Sequence, residues 1–197
     1  MVIATSYLPP VQYLLEVVHS GGAVIDAYET YTKQTCRNRC YIYGPNGKQT
    51  LTVPVIKPFG NHTMTKDIRV SDALPWQKLH WRSIETAYNN SPFFLYYQDR
   101  FIPLFEQRFD YLMELNNALL EVIFKSLHVS VPLSVSGEFN LESRDNKRNQ
   151  LVSKKGEFQN PEYPQTFAPK HGFIPNLSII DLIFNLGPEA GEYLQKK

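Results

Sequence analysis

Within the short run Lys33-Gln34-Thr35-Cys36-Arg37-Asn38-Arg39, three cations and a side-chain amide are gathered together. Two arginines two residues apart can grip a carboxylate or phosphate through paired N–H donors. An amide beside them can orient a carbonyl or donate to negative charge as it develops. The composition therefore points to recognition of an anion, and it does not by itself specify a reaction. A solvated surface strand explains the same arginines, and an amide that pins a neighbouring loop explains Asn38. Further along, His80 follows Trp76 by four residues and precedes Trp81. A histidine set between tryptophans is more often packed in a core than catalytic. The five histidines are scattered, so order alone selects no nucleophile–histidine–carboxylate set.

These residues must be positioned by the elements around them. Lys33 to Tyr43 and Thr50 to Val55 are rich in β-branched and aromatic residues, and Gly44-Pro45-Asn46-Gly47 lies between them. That pattern predicts a β-hairpin. Alternation along its first strand puts Cys36, Asn38, Cys40 and Ile42 on one face, and Arg37, Arg39, Tyr41 and Tyr43 on the other. Upstream, Val2–Leu8 reads as a strand ended by Pro9-Pro10. Val11, Leu14, Leu15 and Val18 recur at helical spacing up to Gly21-Gly22, and Ala23–Tyr28 reads as a second strand. Strand, helix and strand at this length predict a parallel βαβ unit, in which ligands collect beyond the carboxyl ends of the strands. Downstream, Asp67–Val70 reads as a strand and Trp76–Tyr88 as a helix. A long amphipathic helix is expected over Phe101–Leu127, a strand over Val129–Val135, and helices near Asn176–Phe184 and Glu189–Leu194. Asp181 stands among isoleucines and leucines, so its carboxylate must point outward or be paired inside. The expected class is α/β: a mixed sheet with an N-terminal parallel βαβ unit and an antiparallel hairpin, packed by helices.

The length of 197 residues fits one domain spanning 1–197. Residues 137–160 are polar and aperiodic and read as a mobile loop within it, of a length often used for lids. Hydrophobic residues make up 43% and charged residues 20%, ordinary for a soluble globular protein. Net charge is +1, so nothing biases the chain toward nucleic acid or anionic membrane. No apolar run approaches a membrane span, and the N-terminus lacks signal-peptide character. Cys36 and Cys40 are four strand residues apart, about 13 Å, whereas a disulfide needs Cα atoms within about 7 Å. Both are expected as free thiols, which fits a reducing, cytoplasmic compartment. No motif for a cofactor or metal is present.

Several segments, taken in order, resemble the WbqC-like family of bacterial proteins, in particular its stand-alone Bacteroidetes members. They are Tyr7-Leu8-Pro9-Pro10 with Tyr13, Lys33 with Asn38-Arg39, Thr52-Val53-Pro54-Val55, Trp76-x-x-x-His80 with Tyr88, and Gly172-Phe173-Ile174-Pro175-Asn176-Leu177-Ser178 running to Asp181 and Asn185. Members in polysaccharide gene clusters often carry a Gln-Pro-Tyr-like run where this chain has Ala4-Thr5-Ser6. The resemblance implies a cytoplasmic acyl- or aminoacyl-transferase acting on an amino sugar in O-antigen or other surface-polysaccharide synthesis. The alternative is a non-catalytic sugar- or nucleotide-binding or assembly protein. It moves Lys33, Asn38, Arg39, His80 and Tyr88 toward a shared site. There Lys33 and Arg39 would hold an anionic donor such as a nucleotide sugar, and His80 would be the general base. Tyr88 would form part of an aromatic wall, and Arg144 and Lys154 of the polar loop would face the anion. The expected partner is a small molecule, and nucleic acid enters only if the donor is an aminoacyl-tRNA.

Overall fold

The structure, a computed structural model, describes residues 1–138, 145–153 and 158–196. Arg144 and Lys154 lie outside the described residues. The class is α/β as the pattern of elements predicts. Strand β1 (Val2–Ile3), helix α1 (Val11–His19) and strand β2 (Ala23–Ile25) form the parallel unit. The hairpin is β3 (Arg39–Gly44) with β4 (Gly47–Thr52). β5 (Val55–Ile56) pairs antiparallel with β6 (Arg69–Val70). Helices α2 (Trp76–Tyr88), α3 (Phe94–Glu106) and α4 (Leu112–Leu127) follow. β7 (Leu133–Val135) then joins the first sheet parallel to β2, giving the order β1-β2-β7. A single turn α5 (Ala168–His171), α6 (Ile179–Leu186) and α7 (Glu189–Gln195) complete the described elements.

Three expectations are corrected in detail. The parallel strands are shorter than Val2–Leu8 and Ala23–Tyr28, because each chain turns away just past its pairing partner: Asp26 N donates to Ile3 O, and Tyr28 N is held by the Asp26 carboxylate. The hairpin begins at Arg39, and residues 33–38 form a series of turns. Those turns put Arg37 in the interior, opposite to what alternation along a strand would do. The long helix is two helices. Pro103 removes a backbone donor in the last turns of α3. The next residues run extended to lie against β6, where Tyr111 bridges Arg69 and Val70 N donates to Asp110 O. Tyr111 then starts α4, with the Glu114 carboxylate accepting its N–H.

Helix α6 is the hub. It is buried on nearly every face, as a helix apolar all round must be. It packs against α1, α3, α4, α7 and β3. Phe184 gathers the rings of Tyr88, Phe94 and Phe101, at centroid distances of 5.2, 5.2 and 5.7 Å. α7 meets the end of α4 at Gly191, where an added Cβ would overlap the Leu127 carbonyl oxygen. Gly191→Ala is therefore expected to lose about 1–3 kcal/mol through overpacking, although alanine is the better helix former by about 1 kcal/mol. The check is a lower denaturant midpoint with an unchanged slope.

Within the polar stretch, residues 145–153 are docked. Val2 N donates to Asp145 O and Lys147 N to Val2 O, so this segment runs along the free side of β1. Lys147 pairs with Glu16 at 2.6 Å, Arg148 pairs with Asp26, and Leu151 and Val152 are buried. Ser136 at the end of β7 also donates to Asp26, at 3.1 Å. The carboxyl ends of the parallel strands are thus covered by the chain itself.

Candidate functional site

The register of the hairpin builds the site. Arg39 faces Thr52, Tyr41 faces Thr50 and Tyr43 faces Lys48. Cross-strand partners share a face, so Arg39, Tyr41, Tyr43 and Lys48 lie on one side of the ribbon. Lys48 Nζ sits 4.4 Å from the centre of the Tyr41 ring, a cation–π contact. The Tyr43 hydroxyl donates to the carbonyls of Gly172 (2.6 Å) and Phe167 (3.1 Å), which closes that end of the face. Beside Tyr41 and Lys48 the same face borders a cavity of about 230 Å³. Cys36, Tyr41, Lys48, Phe158, Gln159 and Asn176 are among the residues lining it.

The charged side chain among the described residues lining the cavity is a cation, Lys48. Lys33, Arg39, Lys48 and Lys57 take part in no ion pair among the described residues. Arg39 Nε and the Tyr41 hydroxyl are both buried without a hydrogen-bond partner. They are close enough that the guanidinium favours the phenolate, yet burial dominates and leaves the Tyr41 phenol above its ordinary pKa. Burial also pushes the Cys36 thiol up to about 11 against the pull of Arg39, Lys48 and Arg37. At neutral pH it is a protonated thiol and a poor nucleophile. Cys36 and Cys40 are free and buried.

The structure puts each of the five predicted residues in a different setting. Arg39 stands beside Tyr41, a wall residue of the cavity, and is not itself among the residues lining it. Lys33 is exposed beside Lys57, which it holds below its ordinary pKa as a like-charged neighbour; Lys57 in turn donates to Asn61 at 2.9 Å. Asn38 is buried and pins the neighbouring strand connection by donating to Val53 O at 2.8 Å, while its own Oδ1 is unpartnered. His80 is 6% exposed, between the rings of Tyr7 and Trp76. Its Nδ1 is 2.9 Å from the Tyr7 hydroxyl, and the ring also bonds the Thr52 backbone. With Tyr7 O–H as donor and a ring N–H directed at the Thr52 carbonyl, the imidazole is neutral. Burial lowers its pKa to about 4. Tyr88 is buried too, and its hydroxyl accepts from Tyr43 N at 3.2 Å and faces Asp181.

Lys48, Glu29 and the partners of Asp181 were not singled out from the sequence. Extending the hairpin pairing outward from the Pro45-Asn46 turn would have placed Lys48 opposite Tyr43. Arg37, read as one of two arginines able to grip a carboxylate, is fully buried and bidentate to Glu29 at 2.8 and 2.7 Å, and no local signal points to Glu29. Asp181, expected to point outward or be paired inside, is paired inside. Tyr163 and Gln165 donate to Asp181 Oδ2 at 2.7 and 3.0 Å, and Gln165 exchanges two hydrogen bonds with the Ile174 backbone. A buried carboxylate thereby fixes the loop that walls the cavity.

The family-like segments also clamp one another. Leu8 adopts φ 41°, a left-handed conformation uncommon outside glycine. Its carbonyl accepts from Ser178 Oγ at 2.9 Å, Pro9 O accepts from Ile179 N, and Gln12 N donates to Asn176 Oδ1. The proline turn and the Gly172–Ser178 turn are thus two halves of one support behind the hairpin.

Among the described residues no helix is long and apolar enough to cross a membrane, and no group of three His, Cys, Asp or Glu is placed to hold a metal ion. No solved structure matches the chain. "Uncharacterized protein Rv1507c" of Mycobacterium tuberculosis (strain ATCC 25618 / H37Rv) is 27% identical over 225 residues, covering 98% of this chain and 96% of that protein. The family model described as the WbqC-like protein family matches residues 5–158 and 153–193. The chain belongs to the WbqC-like protein family.

Proposed function

We propose that the protein is a cytoplasmic transferase of surface-polysaccharide synthesis that passes an acyl or aminoacyl group to an amino-sugar acceptor. The anionic part of its donor is held in the Arg39–Tyr41–Lys48 cleft. Family membership supports the link to polysaccharide synthesis. The observation that carries the binding role is the buried Arg39 Nε without an acceptor, beside Tyr41 of the cavity wall, with Lys48 in that wall and no carboxylate among its described residues. Leaving a buried donor unsatisfied costs about 1–3 kcal/mol. Phosphate or carboxylate oxygens relieve that cost and add charge-assisted bonds. A cavity of about 230 Å³ admits the charged end of a donor, with the remainder reaching outward. His80 and Tyr88 act as supports that hold the hairpin, since their polar atoms are already engaged. An amine whose pKa is near that of an α-amino group, about 7.7–8.0, is partly unprotonated at neutral pH and needs no protein base to attack an activated carbonyl.

A second reading, binding without turnover, is favoured by one fact: the described residues lining the cavity include no histidine, aspartate or glutamate. The experiment addresses both. Titration with inorganic phosphate, nucleotide sugars and acyl phosphates should show saturable binding. Arg39→Ala is expected to weaken it by about 1.5–3 kcal/mol, the range for a hydrogen bond to a charged group. Arg39→Lys should recover only part, because an ammonium cannot make the guanidinium fork. Equal binding by Arg39→Ala would remove the cleft from the ligand. Mass spectrometry of an amino-sugar acceptor incubated with a bound donor then decides between transfer and binding alone.

A further inference from the structure

We propose a carbohydrate subsite in the cleft between α2 and α3, distinct from the cationic cleft and sharing no lining residue with it. The cleft has a volume of about 530 Å³, inside the usual range for small-molecule sites, about 300–1,000 Å³. Its floor is aromatic and aliphatic, made by Trp81, Phe105 and Ile102. Its rim is polar, made by Gln77, Lys78 and Glu106.

That combination matches a pyranose. A sugar ring presents C–H bonds on its faces and hydroxyls around its edge. The C–H face packs on an aromatic surface, and the hydroxyls need donors and acceptors beside it. Trp81 is held for this by its neighbours. Its ring lies nearly parallel to Phe94, at 25° and 6.1 Å between centroids, and 5.4 Å from Phe105. A fixed indole loses little entropy when it is covered. On the rim, Lys78 offers donors only and Glu106 acceptors only. Both are exposed and in no ion pair among the described residues. The Gln77 amide nitrogen is tied to the Gln107 carbonyl, so the amide is oriented and its oxygen can accept. A purely apolar ligand would leave this rim unused. The subsite goes beyond the transferase reading and holds whether or not the protein transfers anything.

The test uses the full chain and free sugars. Its two tryptophans differ, since Trp76 is 4% exposed and packed under His80, which leaves Trp81 as the reporter. N-acetylglucosamine and methyl glucoside should change the emission saturably, and saturation-transfer NMR should show their ring protons in contact with the protein. Glycerol at matched concentration should do neither. Trp81→Ala should abolish the NMR contact. Because that variant can also unfold the α2–α3 contact, Lys78→Ala and Glu106→Ala are the decisive ones. Both side chains are solvent-exposed, and each change should lower affinity at least about tenfold, as the loss of one hydrogen bond to a charged group requires. Unchanged affinity in both rim variants overturns the proposal. So does a response to N-acetyl-tryptophanamide with none to the sugars, which would make the cleft a seat for an aromatic side chain.

Discussion

Glu29→Ala is expected to cost about 3–5 kcal/mol of folding stability, the range for removing one partner of a buried ion pair. That is a third or more of what a typical domain possesses. Arg37 is the largest fully buried side chain, and its guanidinium cannot shed its proton to escape. Glu29 neutralises it through two parallel hydrogen bonds, from Nε at 2.8 Å and from an Nη at 2.7 Å. Thr35 Oγ1 and Asn149 Oδ1 accept from the remaining N–H groups at 3.2 and 3.1 Å. The Arg37 carbonyl takes the Asn116 amide at 2.9 Å. The pair therefore joins the segment after β2, the turns before the hairpin, helix α4 and the docked residues 145–153. Glu29→Ala leaves the cation with two neutral acceptors and no countercharge. Replacing both partners by apolar residues, as in Arg37→Met with Glu29→Leu, should restore most of the loss, because no charge is then buried. Denaturant unfolding of the three variants is the measurement. A loss below about 1 kcal/mol for Glu29→Ala would mean that water reaches the guanidinium and that the pair is no anchor.

The second large effect lies in mild acid, where two buried groups work against each other. Burial lowers the His80 pKa from 6.5 to about 4. The unfolded chain therefore takes up a proton near pH 6.5 that the folded chain refuses until about pH 4, and stability falls across that window. Burial raises the Asp181 pKa from 3.8 to about 6, although Tyr163, Tyr88 and Gln165 stabilise its charged form. Here the folded chain takes up its proton near pH 6 and the unfolded chain only near 3.8, so stability rises as pH falls through the same window. The two contributions nearly cancel in the parent protein. Single variants separate them. Between pH 7 and 4.5, Asp181→Asn should lose roughly 2 kcal/mol relative to the parent, and His80→Gln should gain roughly 2–3 kcal/mol, at 1.36 kcal/mol per unit of pKa shift. Glutamine is chosen because it can accept from Tyr7 and donate to Thr52. Reading each variant against the parent at every pH removes titrations common to both. Differences that stay flat over this range would show that neither group is held as the structure has it.

Much of the architecture is legible in the chain. Helix α2 begins and ends where its periodicity and flanking Ser-Pro signals place it, and the Gly44–Gly47 turn pairs the strands around it as its residue types require. Family membership is legible too, because its motifs are short local sequences read in order. These features depend on neighbours within one or two turns of chain. The interior polar contacts do not. Arg37 and Arg39 are alike in type and two residues apart, yet one is sealed against Glu29 and the other has a free buried Nε. Alternation assigns them one face only if the backbone is a strand, and it is not a strand at Arg37. His80 looks available for catalysis until Tyr7, 73 residues away in sequence, takes its Nδ1. Asp181 and Gln165 meet across a loop, and Arg37 meets Asn149 across 112 residues. Whether a charged or polar side chain binds a ligand or is consumed by the fold depends on which partners reach it and on how much water is excluded. Both quantities are set by distant segments arriving at one place, which is why only the tertiary structure decides them.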